Sequence, residues 1–211
     1  MLATVLGLNM LLQEPCIDLQ KVSELVLNDI GATIQILRLV GREYDFAAEH
    51  PCRMGVCLAS LDVNVWFGAV SARTFPCDLE HLKVSAFWEH SRLVAQYAQL
   101  VAESMGDISP EDAYLVGMLH EVRAIPAVLG WTGCESGAEV PDAMRAMEGT
   151  LPPFVLDAIR NMSDPCQLSS WNFILTAAHE LASTRMDYEC SNGPLLDCNG
   201  CRFTVDEVSA G

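Results

Sequence analysis

The stretch Leu115–Pro126 is mostly apolar, yet it carries His120 and Glu121 side by side. Its apolar residues predict a buried helix that stops or kinks near the proline. A second apolar helix upstream contains another histidine, within Phe87-Trp-Glu-His-Ser91. Ionisable side chains in such surroundings need partners. If the two helices face each other, these residues form either a metal site or a hydrogen-bonded pair in the core.

Helical periodicity extends over nearly the whole chain. The predicted helices cover Ala3–Leu12, a segment capped by Asp18, Asp29 to about Gly41, Val56–Val70, Leu79–Met105, a segment starting at Ser109-Pro110 that carries His120 and Glu121, Pro141–Met147, Pro153–Met162 and Leu168–Met186. Loops are expected over 43–54 and 130–140, and the one strand-like piece is Arg202–Val205. The pattern therefore predicts an all-α fold.

Composition excludes several kinds of partner. The 211 residues are 51% apolar, enough for a sizeable core, and 28 acidic against 12 basic residues leave a formal charge of −16. Nucleic acids and anionic membrane surfaces attract clustered Lys and Arg, so neither is expected as a partner. The chain has no run of about 18 uncharged apolar residues, so no transmembrane helix is predicted.

The second and third predicted helices are joined tightly, as in a helix-turn-helix. Ile30–Val40 contains a single basic residue, Arg38, which is too few to follow a phosphate backbone. A packed helical pair is the favoured interpretation, and a DNA-binding pair is the alternative.

The nine cysteines are an odd number, and most stand in apolar surroundings. This pattern fits reduced thiols in a cytosolic protein better than a disulfide framework, so a cytoplasmic location is expected. In the tail, Cys198-Asn-Gly-Cys201 follows Cys190 and offers three thiolates that could hold zinc with a fourth ligand. The alternative is an acidic tail with incidental cysteines.

Several motifs, taken in order, resemble one family. Phe87-Trp-Glu-His-Ser91 is similar to a "W-x-H-S" helix start, and Ala113–Val122 is similar to "A-x-x-x-G-L-L-H-D-I". Asp18–Asp29 and Ile34–Leu39 resemble the paired helices that precede this core, and Thr176–Ala182 resembles a later helix. Between Leu2 and Thr184 the chain thus resembles the HDOD domain, a signalling relative of the HD metal phosphohydrolases.

The resemblance implies an architecture and a remnant metal site. It implies an N-terminal helical subdomain over 1–75, packed on a degenerate HD-like core over 76–187, with an acidic, cysteine-containing tail over 188–211. Active HD enzymes hold a metal with a histidine, a His-Asp doublet and a distal Asp. The matching positions here are His90, His120, Glu121 and His179, so both aspartates are replaced. The usual Gly-Lys after the doublet is replaced by Arg123-Ala124.

The resemblance also implies a function. We expect a signal-transduction module without catalytic or cofactor-binding residues, which acts through a protein partner and can form a homo-oligomer. No cofactor is expected. The alternative is a phosphohydrolase that acts on a nucleotide or cyclic dinucleotide, with a divalent transition metal at the four residues and Arg92 or Arg123 holding the phosphate.

Overall fold

The computed structural model describes residues 2–44, 53–72, 81–122, 149–162 and 169–186. Within these ranges all regular structure is helical, which confirms the predicted fold class. The helices are α1 Leu2–Leu12, α2 Leu19–Leu27, α3 Ile30–Tyr44, α4 Met54–Ser60, α5 Val63–Ser71, α6 His81–Met105, α7 Pro110–Leu119, α8 Pro153–Asn161 and α9 Ser170–Met186.

Two aspartates begin α2 and α3. The Asp18 carboxylate accepts hydrogen bonds from the backbone N–H groups of Gln20 and Lys21, as an N-cap does. Asp29 is buried and accepts from the Ala32 N–H and the Thr4 hydroxyl, so it joins α3 to α1. The first turn of α3 is buried. Because a recognition helix reads bases with its N-terminal residues, this burial counts against the helix-turn-helix alternative.

The predicted end of α3 at Gly41 is wrong, because the helix continues to Tyr44. The Tyr44 hydroxyl donates to the carbonyl of Ser60, at 2.7 Å, which ties the extra turn to the end of α4. A glycine weakens a helix interior by only about 1 kcal/mol. A tertiary contact of this kind is enough to offset that cost.

The single helix predicted over Val56–Val70 is also wrong. The chain forms α4 and α5, which meet at an angle of 113°. Asp62 causes the break, since its carboxylate accepts from the N–H groups of Asn64 and Val65 and so starts a new helix. In the described part of the chain no single helix is long and apolar enough to cross a membrane, and only this bent pair, taken together, passes that test by length and composition.

The second half of the chain is organised around the long helix α6, which packs against α7 and α9. Gly106 ends α6 with φ +76°, a left-handed conformation that favours glycine, and Ser109 with Pro110 starts α7, as predicted. One apolar cluster contains Val26 and Trp66 from the first half together with Leu119 from the second. The two halves therefore share a core.

Several predictions lie outside the described residues. They are the first two residues of the helix predicted from Leu79, the loop over 130–140, the helix Pro141–Met147, the strand-like piece Arg202–Val205, and the tail with Cys190, Cys198 and Cys201. The division into 1–75, 76–187 and 188–211 stays a prediction.

Candidate metal centre

Three helices bring the candidate ligands together. His90 lies in α6, His120 and Glu121 directly follow α7, and His179 lies in α9. Because α6 packs against both α7 and α9, His90 on α6 can lie close to the doublet and to His179 at the same time. The position of the doublet differs from the prediction, since α7 ends at Leu119, well before Pro126, and the doublet occupies the turn that follows.

A hydrogen bond within the last turn holds the His120 side chain at the end of α7. The Nδ1 of His120 lies 2.7 Å from the carbonyl oxygen of Gly117, three residues earlier. His120 is the C-cap of α7 and keeps helical backbone angles, φ −57° and ψ −32°. The imidazole is therefore anchored to the backbone of its own helix.

Gly117 also sets how closely α7 approaches α6. A Cβ atom at this position would lie 2.8 Å from the Cα of Ala95 and 3.1 Å from the Cβ of Ala98. These contacts are below the range of ordinary van der Waals contact. Only glycine fits here, and the close approach draws the end of α7 towards His90.

The hydrogen bond at Gly117 defines the tautomer of His120. A carbonyl only accepts, so Nδ1 must carry the proton, and the Nε2 of the neutral ring keeps its lone pair. Among the described residues this buried Nε2 has no hydrogen-bond partner. It lies 4.0 Å from the Oε1 of Glu121, which itself is 3.9 Å from the Nε2 of His90.

His179 closes the cluster from the side of α9. Its ring centroid lies 4.8 Å from that of His90 and 5.7 Å from that of His120. One potential ligand atom from each of the four residues can be chosen so that all lie within 4.8 Å of one another. His90, His120 and Glu121 are buried, with 3%, 5% and 6% of their surface exposed, and His179 is half-buried.

Burial keeps the three imidazoles neutral. Loss of solvation, with the nearby His120, lowers the pKa of His90 to about 4, although Glu121 partly opposes this. Burial, with the nearby His179, lowers the pKa of His120 to about 3. The pKa of His179 is also lowered by burial. Neutral imidazoles are the form that binds metals.

The four side chains fit a metal ion by the chemistry of their donors. Three imidazole nitrogens and one carboxylate oxygen are ligands of zinc and related divalent ions. A four-coordinate ion with bonds of about 2.0–2.2 Å spaces its donors roughly 3.3–3.6 Å apart. The distances from Glu121 are 3.9 and 4.0 Å, and the four donor atoms lie within 4.8 Å of one another, so the side chains would have to move closer together around an ion. A bound ion would supply positive charge and, with an open coordination position, an activated water. Metal binding itself stays a prediction.

Other positions singled out in the sequence have different surroundings. Arg92, a candidate phosphate ligand, pairs with Glu89 one turn earlier in α6, with Nε 3.3 Å from Oε2. The other candidate, Arg123, lies outside the described residues. The sequence analysis did not single out Gly117, which lets α7 approach α6 and accepts the hydrogen bond from His120. The spacing Gly-x-x-His could have indicated it, because this spacing lets the imidazole reach back to the glycine carbonyl. Ser183, whose Oγ lies 3.5 Å from the Nδ1 of His179, was not singled out either.

The described residues thus form a helical fold with a buried cluster of three histidines and one carboxylate. The family model described as "HDOD domain" matches residues 64–129, which confirms the predicted HDOD domain. The matched segment includes His90, His120 and Glu121, whereas His179 and the first four helices lie outside it.

Solved structures extend the likeness in fold to nearly the whole chain. A structure of the MmoQ response regulator from Methylococcus capsulatus strain Bath aligns with a TM-score of 0.69 and 16% identity, over 98% of this chain and 94% of that one. A fragment of MmoQ, residues 20–298, aligns with a TM-score of 0.63 and 16% identity, over 92% and 86%. At this identity the likeness shows the fold alone. A comparison with curated proteins found no match.

Proposed function

We propose that this chain is a regulatory module of the HDOD type, which acts through contact with a protein partner and does not catalyse hydrolysis. The HDOD match over residues 64–129 supports a signalling role. The fold is also similar to that of a protein described as a response regulator.

The observation that carries the non-catalytic part is the burial of the histidine cluster. A catalytic metal site must admit water and substrate to an open coordination position. Here three of the four residues are at most 6% exposed, so little of the cluster is accessible to a substrate. This arrangement favours a role in holding the core together.

The charges beside the cluster support the same interpretation. A phosphoryl substrate needs a cationic group to bind its oxygens. Arg92, two positions from His90, is engaged by the Glu89 carboxylate. A phosphate would therefore have to compete with the Glu89 carboxylate for the Arg92 guanidinium.

A hydrolase panel tests the absence of catalysis. Purified protein is supplied with Mn²⁺, Fe²⁺, Co²⁺ or Zn²⁺ and assayed against nucleotides and cyclic dinucleotides, beside the variant His120→Gln. We expect both proteins to give the same background rate with every metal. Turnover that depends on metal and disappears in the variant would contradict the proposal.

Photo-crosslinking in cells tests the protein contact. A photoreactive residue replaces one exposed apolar side chain at a time on different helices, such as Met10 of α1, 71% exposed, or Leu100 of α6, 57% exposed. A partner should give an adduct of one mass at a restricted set of positions, and an adduct of twice the chain mass would identify a second copy. Adducts that are absent, or equally frequent at all positions, would contradict a specific contact.

The second candidate function is a metal-dependent phosphohydrolase. The convergence of four potential ligands within 4.8 Å is the observation in its favour. The hydrolase panel distinguishes it from the regulatory module, because only the hydrolase predicts metal-dependent release of phosphate.

A further inference from the structure

We infer that His90, His120, Glu121 and His179 form a closed structural site for a zinc-class divalent ion, and that the histidine at position 179 makes this site select zinc and cobalt over manganese and magnesium. The inference goes beyond the regulatory role proposed above and does not depend on it. It concerns what the ion is and what it does for the fold.

His120 is already oriented as a metal ligand would be. The residue is 5% exposed, and its ring is held by the hydrogen bond from Nδ1 to the Gly117 carbonyl. In metal sites the nitrogen opposite the ligand is commonly held by a carbonyl or carboxylate, which fixes the ring and its tautomer. The remaining Nε2 lone pair faces the Glu121 carboxylate at 4.0 Å and lacks a hydrogen-bond partner among the described residues. Leaving such an atom unsatisfied is costly, and a metal ion would satisfy it.

The four candidate ligands favour zinc-class ions by the balance of their donor atoms. Three imidazoles and a single carboxylate give a nitrogen-rich set. Imidazole suits zinc, nickel, copper and iron, whereas magnesium and manganese favour sets rich in oxygen. His179 decides this balance, because an aspartate at its position would give two nitrogens and two oxygens.

The four candidate ligands lie far apart along the chain. They come from α6, from the turn after α7 and from α9, and these segments are separated along the chain by about 30 and about 60 residues. An ion held by all three segments would link distant parts of the chain, and it could do so only in the folded state. Binding should therefore stabilise the core, since structural metal ions bind the native form and not the unfolded chain.

The experiment compares metals by direct binding and thermal unfolding of the full chain. Protein freed of metal by a chelator is titrated with Zn²⁺, Co²⁺, Mn²⁺ and Mg²⁺ separately. We expect one equivalent of zinc or cobalt to bind and raise Tm, with affinities at least about 100-fold above those for manganese and magnesium. Cobalt should give the visible absorption of a nitrogen- and oxygen-ligated ion without the charge-transfer band of a thiolate.

Three variants assign the site. His179→Leu should weaken zinc binding by at least about 100-fold, because loss of even an outer-shell partner costs 10–100-fold. His179→Asp should still bind zinc, but its preference for zinc over manganese should fall at least tenfold. The matched control is His81→Gln, on the same helix as His90 but about 13 Å away along it, which should bind zinc as the unchanged chain does.

Defined outcomes would overturn the inference. These are the absence of zinc and cobalt binding, unchanged zinc binding in His179→Leu, or the same metal preference in His179→Asp as in the unchanged chain. A second pair of substitutions, Cys198→Ser with Cys201→Ser, separates the tail from the histidine cluster. Loss of the bound equivalent in that double variant would assign the ion to the tail thiolates and refute the site proposed here.

Discussion

Gly117→Ala tests the close approach that positions the candidate site. The added Cβ would lie 2.8 Å from the Cα of Ala95, a backbone atom that cannot move without shifting α6. Relief to an ordinary contact of 3.4 Å requires the helices to separate by about 0.6 Å. Overpacking of this kind typically costs about 1–3 kcal/mol, and the better helix propensity of alanine offsets up to about 1 kcal/mol. We expect a net loss of about 1–2 kcal/mol.

Gly68→Ala is the matched control. Gly68 also lies inside a helix, α5, but a Cβ there would meet nothing within 4 Å. The same substitution should therefore stabilise the protein, by about 0.4–1 kcal/mol, because alanine reduces the freedom of the unfolded chain. The free energies of unfolding of the two variants should therefore differ by roughly 1.4–3 kcal/mol, with Gly117→Ala less stable and Gly68→Ala more stable than the unchanged chain.

Urea unfolding followed by circular dichroism, with a chelator present, measures both effects. The m-value should stay the same in all three proteins, since the surface exposed on unfolding is the same. Gly117→Ala should also weaken zinc binding, because the separation of α6 and α7 moves His120 away from His90. If Gly117→Ala were as stabilising as Gly68→Ala, the close approach of the two helices would be refuted.

Three further perturbations have expected outcomes. The metal-free protein should lose stability as the pH falls below 6.5 towards 4, by up to about 1.4 kcal/mol per pH unit for each clustered histidine, because burial lowers the pKa of the folded-state imidazoles and the unfolded chain binds protons first. Urea midpoints between pH 7.5 and 5 measure this loss, and midpoints that do not change with pH would contradict it. Asp29→Ala removes a buried N-cap and the hydrogen-bond partner of Thr4, so it should lower the free energy of unfolding by at least about 1 kcal/mol more than Asp18→Ala, which removes an exposed cap. Equal urea midpoints in the two variants would argue against the buried contact. Gly106→Ala forces a side chain into φ +76° and should cost about 1–2 kcal/mol in the same assay, whereas an unchanged midpoint would show that the turn does not need glycine.

Local signals predicted much of the helical framework. The cap at Asp18, the start at Ser109-Pro110 and the stop at Gly106 are all present in the structure. These features depend on residues within one turn of each other, so sequence spacing is enough to detect them. The errors have a different origin. Asp62 begins a helix within an apolar run, and Tyr44 extends α3 through a contact with Ser60, sixteen residues away.

The candidate site could likewise be predicted only in part from local sequence signals. Residues 90, 120 and 121 are ionisable residues in apolar helices, so the sequence alone indicates a site there, whereas only the family resemblance points to His179. The structure brings the four together, and their binding of a metal stays a prediction. No periodicity could indicate that α9 crosses α6 at this point, since the crossing depends on how the small residues between the two helices pack.

Helical periodicity and local motifs were sufficient to predict the helical fold of the described residues and the resemblance to the HDOD domain, whose family model matches residues 64–129. Tertiary structure alone decided that α7 ends at Leu119 and that His120 presents Nε2 to Glu121 and to the other imidazoles. The physical reason is that helical periodicity and capping are short-range properties of the chain. The distance between side chains on three helices depends on close packing, and here it depends on the missing Cβ of Gly117 against Ala95.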